Sequence, residues 1–95
     1  MLIHIVSFKY KPETSAEQRR EHRERLATLA ALDGIIDLKT GGDVVQSGRS
    51  YDTGLVVTFA DRGALDAYQR NPQHVPVAQF GVEVCESIVA VDFVV

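Results

Sequence analysis

The chain has 95 residues, 45% of them hydrophobic and 24% charged, and ten Lys and Arg against 13 Asp and Glu give a net charge of −3. That length suits one domain spanning residues 1–95, and the apolar content is too high for a disordered chain. The negative balance excludes the basic footprint of a nucleic-acid binder. A single cysteine, Cys85, leaves no intrachain disulfide and no cysteine zinc cluster, and reads as a small core hydrophobe in a reducing compartment. No apolar run approaches the ~20 residues of a membrane span, and Met1-Leu2-Ile3-His4 lacks the features of a secretory leader. The expected setting is cytoplasmic, with no membrane partner.

Leu2–Tyr10 alternates and is rich in β-branched and aromatic residues, the pattern of a strand. Leu2, His4, Val6, Phe8 and Tyr10 share one face, and Ile3, Ile5, Ser7 and Lys9 share the other. Pro12 ends it. Ser15 and Gln18 form a capping box at the head of a helix that runs to about Leu32, where Asp33-Gly34 supplies the stop. Arg19, Arg20, Arg23 and Arg25 interleave with Glu17, Glu21 and Glu24, which marks a solvated helix face. A second strand is expected over residues 35–46, broken or bulged at Gly41-Gly42. Ser47-Gly48-Arg49-Ser50 is turn chemistry leading into a third strand over residues 51–59. Asp61 caps a short helix through Gln69, with Leu65 and Tyr68 on one face. Pro72 and Pro76 bracket one further helical turn ending near Gly81, and residues 87–95 form the last strand.

The order β-α-β-β-α-β is the ferredoxin-like split βαβ pattern, an α+β fold. It implies a four-stranded antiparallel sheet with helices on one face and the first strand between the third and fourth. The uncovered face of such a sheet should be polar. Here both faces are apolar, since the last strand carries Val89, Val91, Phe93 and Val95 on one side and Ile88 and Ala90 on the other. A two-fold partner presenting the same sheet is the simplest cover, giving a homodimer that buries Ile3, Ile5, Val56, Val89, Val91 and Phe93. Between helices and sheet, a pocket is expected with walls of Val6, Phe8, Leu26, Leu29, Leu55, Val57, Ile88 and Ala90.

Three histidines lead the candidates for chemistry. His22 aligns with Leu26 and Leu29 on the inward stripe of the first helix, His4 faces the helices from the first strand, and His74 lies in the proline-flanked segment. All three are expected to approach one internal space. They lack a close metal-ligand spacing such as i, i+4, so neither a metal nor an organic cofactor is expected. Thr40-Gly41-Gly42-Asp43 is no phosphate loop, because the Gly-Lys-Ser/Thr that should follow is missing. Asp92 is the one acidic residue inside an otherwise apolar strand, and it needs a partner because an unpaired buried charge is costly. The antiparallel register of the first and last strands offers His4.

Tyr68-Gln69-Arg70-Asn71-Pro72-Gln73-His74, the strand holding His4, Arg49-Ser50-Tyr51-Asp52 and Val91-Asp92-Phe93 together resemble the stress-responsive dimeric α/β-barrel (Dabb) family. The resemblance covers nearly the whole chain and implies ferredoxin-like protomers paired by their sheets into a dimeric α/β barrel. It extends to the olivetolic acid cyclase-type polyketide cyclases, which close a linear chain by intramolecular aldol condensation. Their catalytic tyrosine and histidine match Tyr68 and His74, and their strand-one histidine matches His4. Two positions depart from that pattern. Asn71 stands where a second helical histidine is common, and the large aromatic pocket residues of the first helix fall at His22, Arg23 and Leu26. The resemblance also suggests His74, rather than His4, as the partner of Asp92, and His74 is the partner expected.

Aldol-type closure needs a base of near-neutral pKa to remove a proton α to a carbonyl, and a donor for the enolate oxygen. The function implied is a cofactor-independent cyclase or lyase acting on a small apolar, carbonyl-containing ligand. His74, Tyr68 and Asp92 are its catalytic candidates; His4, Val6, Phe8, His22, Leu26, Leu55, Ile88 and Ala90 are its candidate substrate contacts. The alternative is a non-catalytic stress-response or ligand-binding dimer. A metal-dependent oxygenase-like barrel is a third reading, on fold analogy alone.

Overall fold

Alternation in the first strand sets the layers. In the computed structural model, which describes residues 1–95, β1 spans Leu2–Tyr10 and buries Leu2, His4, Val6, Phe8 and Tyr10 while the residues between them stay partly exposed. Antiparallel β3 (Thr53–Phe59) lies on one side of it, placing Thr53, Leu55, Val57 and Phe59 on the same buried face. Antiparallel β4 (Cys85–Val94) lies on the other side, and β2 (Asp37–Gly42) pairs with the far edge of β3, giving the order β2-β3-β1-β4. Three helices cover the buried face: α1 (Ala16–Thr28), α2 (Arg62–Arg70) and α3 (His74–Val84). The expected ferredoxin-like topology is the one observed, and no helix is long and apolar enough to cross a membrane.

Local chemistry explains the helix ends. Ser15 accepts from the Gln18 N–H at 3.1 Å and the Gln18 side chain accepts from the Ser15 N–H at 2.9 Å, which completes the capping box. Asp61 caps α2 by accepting from the Ala64 N–H at 2.9 Å. α1 ends at Thr28 and a 3₁₀ turn, Leu29–Ala31, carries the chain on, with Gly34 in the left-handed region at φ 87°. The segment expected to hold one helical turn is instead a helix of eleven residues, α3. Pro76 does not break it, because it is the third residue of the helix, where a backbone N–H would have no intrahelical partner.

The second strand is shorter than expected. β2 stops at Gly42, and the Asp43 N–H bonds the Asp52 carbonyl at 2.8 Å, closing a loop in which Gln46 takes a positive φ of 57°. β3 begins at Thr53 rather than Tyr51, since the Asp52 N–H turns to the Phe8 carbonyl at 2.8 Å.

The layers pack without the expected pocket. Val6, Phe8, Leu26, Leu29, Leu55 and Val57 belong to one hydrophobic core and touch one another rather than line a cavity. Ile88 and Ala90 do share the helix-facing side, opposite Phe8 and Val6, yet both are exposed in the protomer. On the other face Val56, Val89, Val91 and Phe93 are 37–54% exposed, forming with partly buried Ile3 and Ile5 an apolar surface that nothing in the protomer covers.

Both helix caps act on separate elements. Ser15→Ala and Asp61→Ala are each expected to lower stability by about 1 kcal/mol, nearly additively in the double variant. Urea unfolding followed by circular dichroism measures this.

Candidate active site

The central strand places His4 and the edge strand places Asp92. They are directly opposed residues of the β1–β4 ladder, on the face turned toward the helices. The Asp92 carboxylate pairs with His4 Nδ1. A carboxylate only accepts, so the proton of this contact sits on His4 Nδ1. His4 is buried, whereas the Asp92 side chain is 38% exposed.

The last turn of α2 brings Tyr68 onto this pair. Its ring is buried, 6.1 Å from the His4 ring in an edge-on arrangement and 5.2 Å from Phe59. The Asn71-Pro72-Gln73 connection then fixes the start of α3. Asn71 Oδ1 accepts from the Gln73 N–H at 2.8 Å, and the Asn71 carbonyl accepts from the His74 and Val75 N–H groups at 2.9 and 3.1 Å. This turn sets the His74 ring 4.3 Å from the Tyr68 ring, centroid to centroid. Asn71, noted in the sequence as a departure, therefore serves as the bracket of the connection.

Two polar atoms of this cluster have no partner. Tyr68 Oη and His74 Nδ1 are both buried and neither meets the geometry of a hydrogen bond, although the Gln69 backbone carbonyl lies near enough to the His74 ring to act on it. Burial pushes the Tyr68 phenol up to about 12. Burial also lowers His74 below the ordinary histidine value, with the nearby His4 adding to the effect and the Gln69 backbone carbonyl opposing it. At pH 7 the phenol keeps its proton and the imidazole is neutral, so one group donates and the other accepts. A cleft of about 580 Å³ between α2 and the end of β4 reaches the cluster at Asp92, with Leu2, Gln69 and Arg70 among its walls.

Two expectations are corrected by this arrangement. Asp92 is held by His4, not His74, because cross-strand neighbours in an antiparallel pair have Cβ atoms only ~5 Å apart. His22 does not join the other histidines. It is fully buried beside Phe8 and Tyr10, and the nearer of these, Phe8, stands four residues from His4 along β1, roughly 13 Å away. Consequently His4, His22 and His74 do not form one metal-ligand set.

The surroundings of His22 were not foreseen from the sequence. Tyr10 Oη lies 2.7 Å from His22 Nδ1 and 2.9 Å from Thr53 Oγ1, while Asp52 Oδ2 accepts from the Tyr10 N–H at 2.8 Å. Strand parity puts Tyr10 inside; finding Thr53 beside it requires the β1–β3 register. Burial, assisted by Arg23 and Arg25, lowers His22 to about 4. The unfolded chain, with an ordinary value near 6.5, then binds a proton that the folded chain refuses across that interval. Stability is expected to be flat above about pH 6.5 and to fall by at most about 3 kcal/mol as pH drops to about 4. Urea midpoints at pH 7 and pH 4.5 should show the loss, and His22→Leu should flatten the slope.

Known proteins of this architecture are numerous. A family model for the stress responsive A/B barrel domain (Dabb) matches residues 2–95. A dimeric ferredoxin-like protein of unknown function from Jannaschia sp. is 31% identical, with 99% of this chain and 98% of that one aligned at a TM-score of 0.82. Another from Thermobifida fusca is 23% identical, with 99% and 90% aligned at a TM-score of 0.90. The hydroxynitrile lyase of Passiflora edulis shares the fold at 19% identity, with 99% and 92% aligned at a TM-score of 0.87. No curated protein gives a significant sequence match. With its sheet order and element lengths in place and the family model spanning all but its first residue, the chain belongs to the stress responsive A/B barrel domain (Dabb) family.

Proposed function

We propose that the protein is a homodimeric, cofactor-independent acid–base enzyme of the cyclase or lyase kind, acting on a carbonyl compound at Tyr68 and His74. The carrying observation is that Tyr68 Oη and His74 Nδ1 are buried side by side without partners. A buried polar group left unpaired costs about 1–3 kcal/mol, so two together are best explained by a ligand that completes them.

Their chemistry is complementary. Neutral His74 accepts a proton from the carbon α to a carbonyl, and the Tyr68 hydroxyl donates a hydrogen bond to the oxygen as it becomes an enolate. In a ring closure the enolate carbon attacks a second carbonyl of the same chain, and the resulting alkoxide takes back the proton held by His74. Asp92 acts through His4, holding one tautomer beside the reacting pair. The Passiflora edulis hydroxynitrile lyase supports lyase chemistry on this scaffold.

The second reading is a non-catalytic dimer, and the observation favouring it is the filled core where a pocket was expected. Proton exchange separates the two. An aliphatic methyl ketone in D₂O should gain deuterium at its α positions faster with the protein than without it. His74→Gln should lower that rate about 10²–10⁴-fold, and Tyr68→Phe about 10²–10³-fold. Exchange at the buffer rate with wild-type protein would favour the non-catalytic reading.

The dimer rests on the uncovered apolar sheet face and on relatives described as dimeric. Light scattering is expected to give twice the 10.5 kDa protomer mass. Val91→Asp, which puts a charge at the middle of that face, should shift the protein toward monomer.

A further inference from the structure

The arginines of α1 do not share one environment. Arg20 pairs with Glu24 and Arg25 with Glu21 along the helix surface, as the interleaved charges lead one to expect. Arg19 and Arg23, also one turn apart, are half-buried and lie toward the loop that joins β2 to β3. Neither forms a salt bridge. Two guanidinium groups at i and i+4 repel each other, and withdrawing them from water without a carboxylate adds to the cost.

Both are nonetheless held in place. Arg19 lies over the Tyr10 ring at 5.2 Å, and its Nε and Nη2 donate to the Thr14 and Lys11 carbonyls at 3.0 and 3.3 Å. Arg23 Nη1 donates to Thr53 Oγ1 at 3.4 Å. The other N–H groups of the pair have no protein acceptor. Arg19 and Arg23 line a surface hollow of about 360 Å³, which buried Tyr10 closes toward the core. Asp43 and Asp52 line the same hollow, joined by the bond from the Asp43 N–H to the Asp52 carbonyl at 2.8 Å. Both aspartates are half-buried, and each has one oxygen engaged. Asp43 Oδ2 accepts from the Gln46 N–H at 2.6 Å and Asp52 Oδ2 from the Tyr10 N–H at 2.8 Å, which leaves Oδ1 of each without a protein partner.

Two cations and two anions thus border one hollow with unused capacity of both signs and no ion pair across it. A simple anion placed there would meet the aspartates, and a simple cation would meet the arginines. A solute carrying both charges satisfies all four. We propose that this hollow binds a small zwitterion, a free amino acid, with its carboxylate held by Arg19 and Arg23 and its ammonium held by Asp43 and Asp52. The guanidinium fork matches a carboxylate, and the ammonium has donors for both Oδ1 atoms. The site stands apart from Tyr68 and His74. Tyr10 is six residues beyond His4 on β1, roughly 20 Å along the strand.

Glycine is the probe, with acetate and methylammonium as its one-charge counterparts. In NMR titrations followed at the arginine Nε–Hε signals, glycine should shift Arg19 and Arg23 saturably. Each counterpart should bind about tenfold more weakly, since it leaves one pair of charges unmet. Arg23→Gln and Asp52→Asn should each weaken glycine by about the same factor, while Arg20→Gln on the paired surface should leave it unchanged. Arg19→Gln and Asp43→Asn carry the same expectation should either of the first two fail to fold. The proposal is overturned by the lack of a saturable response to glycine, or by either counterpart binding as tightly as glycine. Full affinity in a folded Arg23→Gln or Asp52→Asn protein would overturn it as well. His74→Gln should bind glycine as the wild type does; loss of binding there would assign glycine to the other site and sink this one.

Discussion

β1 is hydrogen-bonded on both sides, and its strict alternation is the constraint on which the other elements depend. A one-residue slip against either neighbour would turn His4, Val6, Phe8 and Tyr10 toward the outer face. The antiparallel pairings therefore do more than build a sheet. They bring Asp92 to His4 at one end of β1 and Thr53 to Tyr10 at the other. The Tyr10–Thr53 meeting is buried and the His4 side of the other is too, and there the cost of being unpaired makes the register harder to shift.

The two ends of the strand have been put to different uses. At the His22 end, the interior is closed and polar contacts run from histidine to tyrosine to threonine, with one nitrogen left over. At the His4 end, a carboxylate opens to a surface cleft while Tyr68 Oη and His74 Nδ1 behind it are buried. Desolvation acts on both ends, keeping the imidazoles of His22 and His74 neutral and the Tyr68 phenol protonated. Such a set of groups is costly for the fold, and the proposed proton transfer would account for that cost.

The outer sheet face follows a different logic. Its valines and Phe93 satisfy the period of a strand as well as the inner residues do, but no helix lies over them. An apolar face of this extent on so small a chain leaves little of the available hydrophobic burial inside the protomer. Joining two copies would recover it, which ties the stability of the protein to association.

Periodicity and capping are local, and they were legible from the residues alone. The parity of β1, the capping box at Ser15, the Asp61 cap and the β-α-β-β-α-β order all appear as expected, because each depends on neighbours within a few positions. The boundaries of β2, β3 and α3 did not, since Asp43 bonds Asp52, Asp52 bonds Phe8, and Pro76 falls in a first helical turn whose start is set by Asn71. The site was half legible. Tyr68, His74, His4 and Asp92 could be named from motif and parity, and the strand register already offered His4 to Asp92. Three matters depended on how helices pack over the sheet: the exclusion of His22, the filling of the expected pocket, and the meeting of the Tyr68 and His74 rings. Those are distances between segments remote in sequence, and only the tertiary structure fixes them.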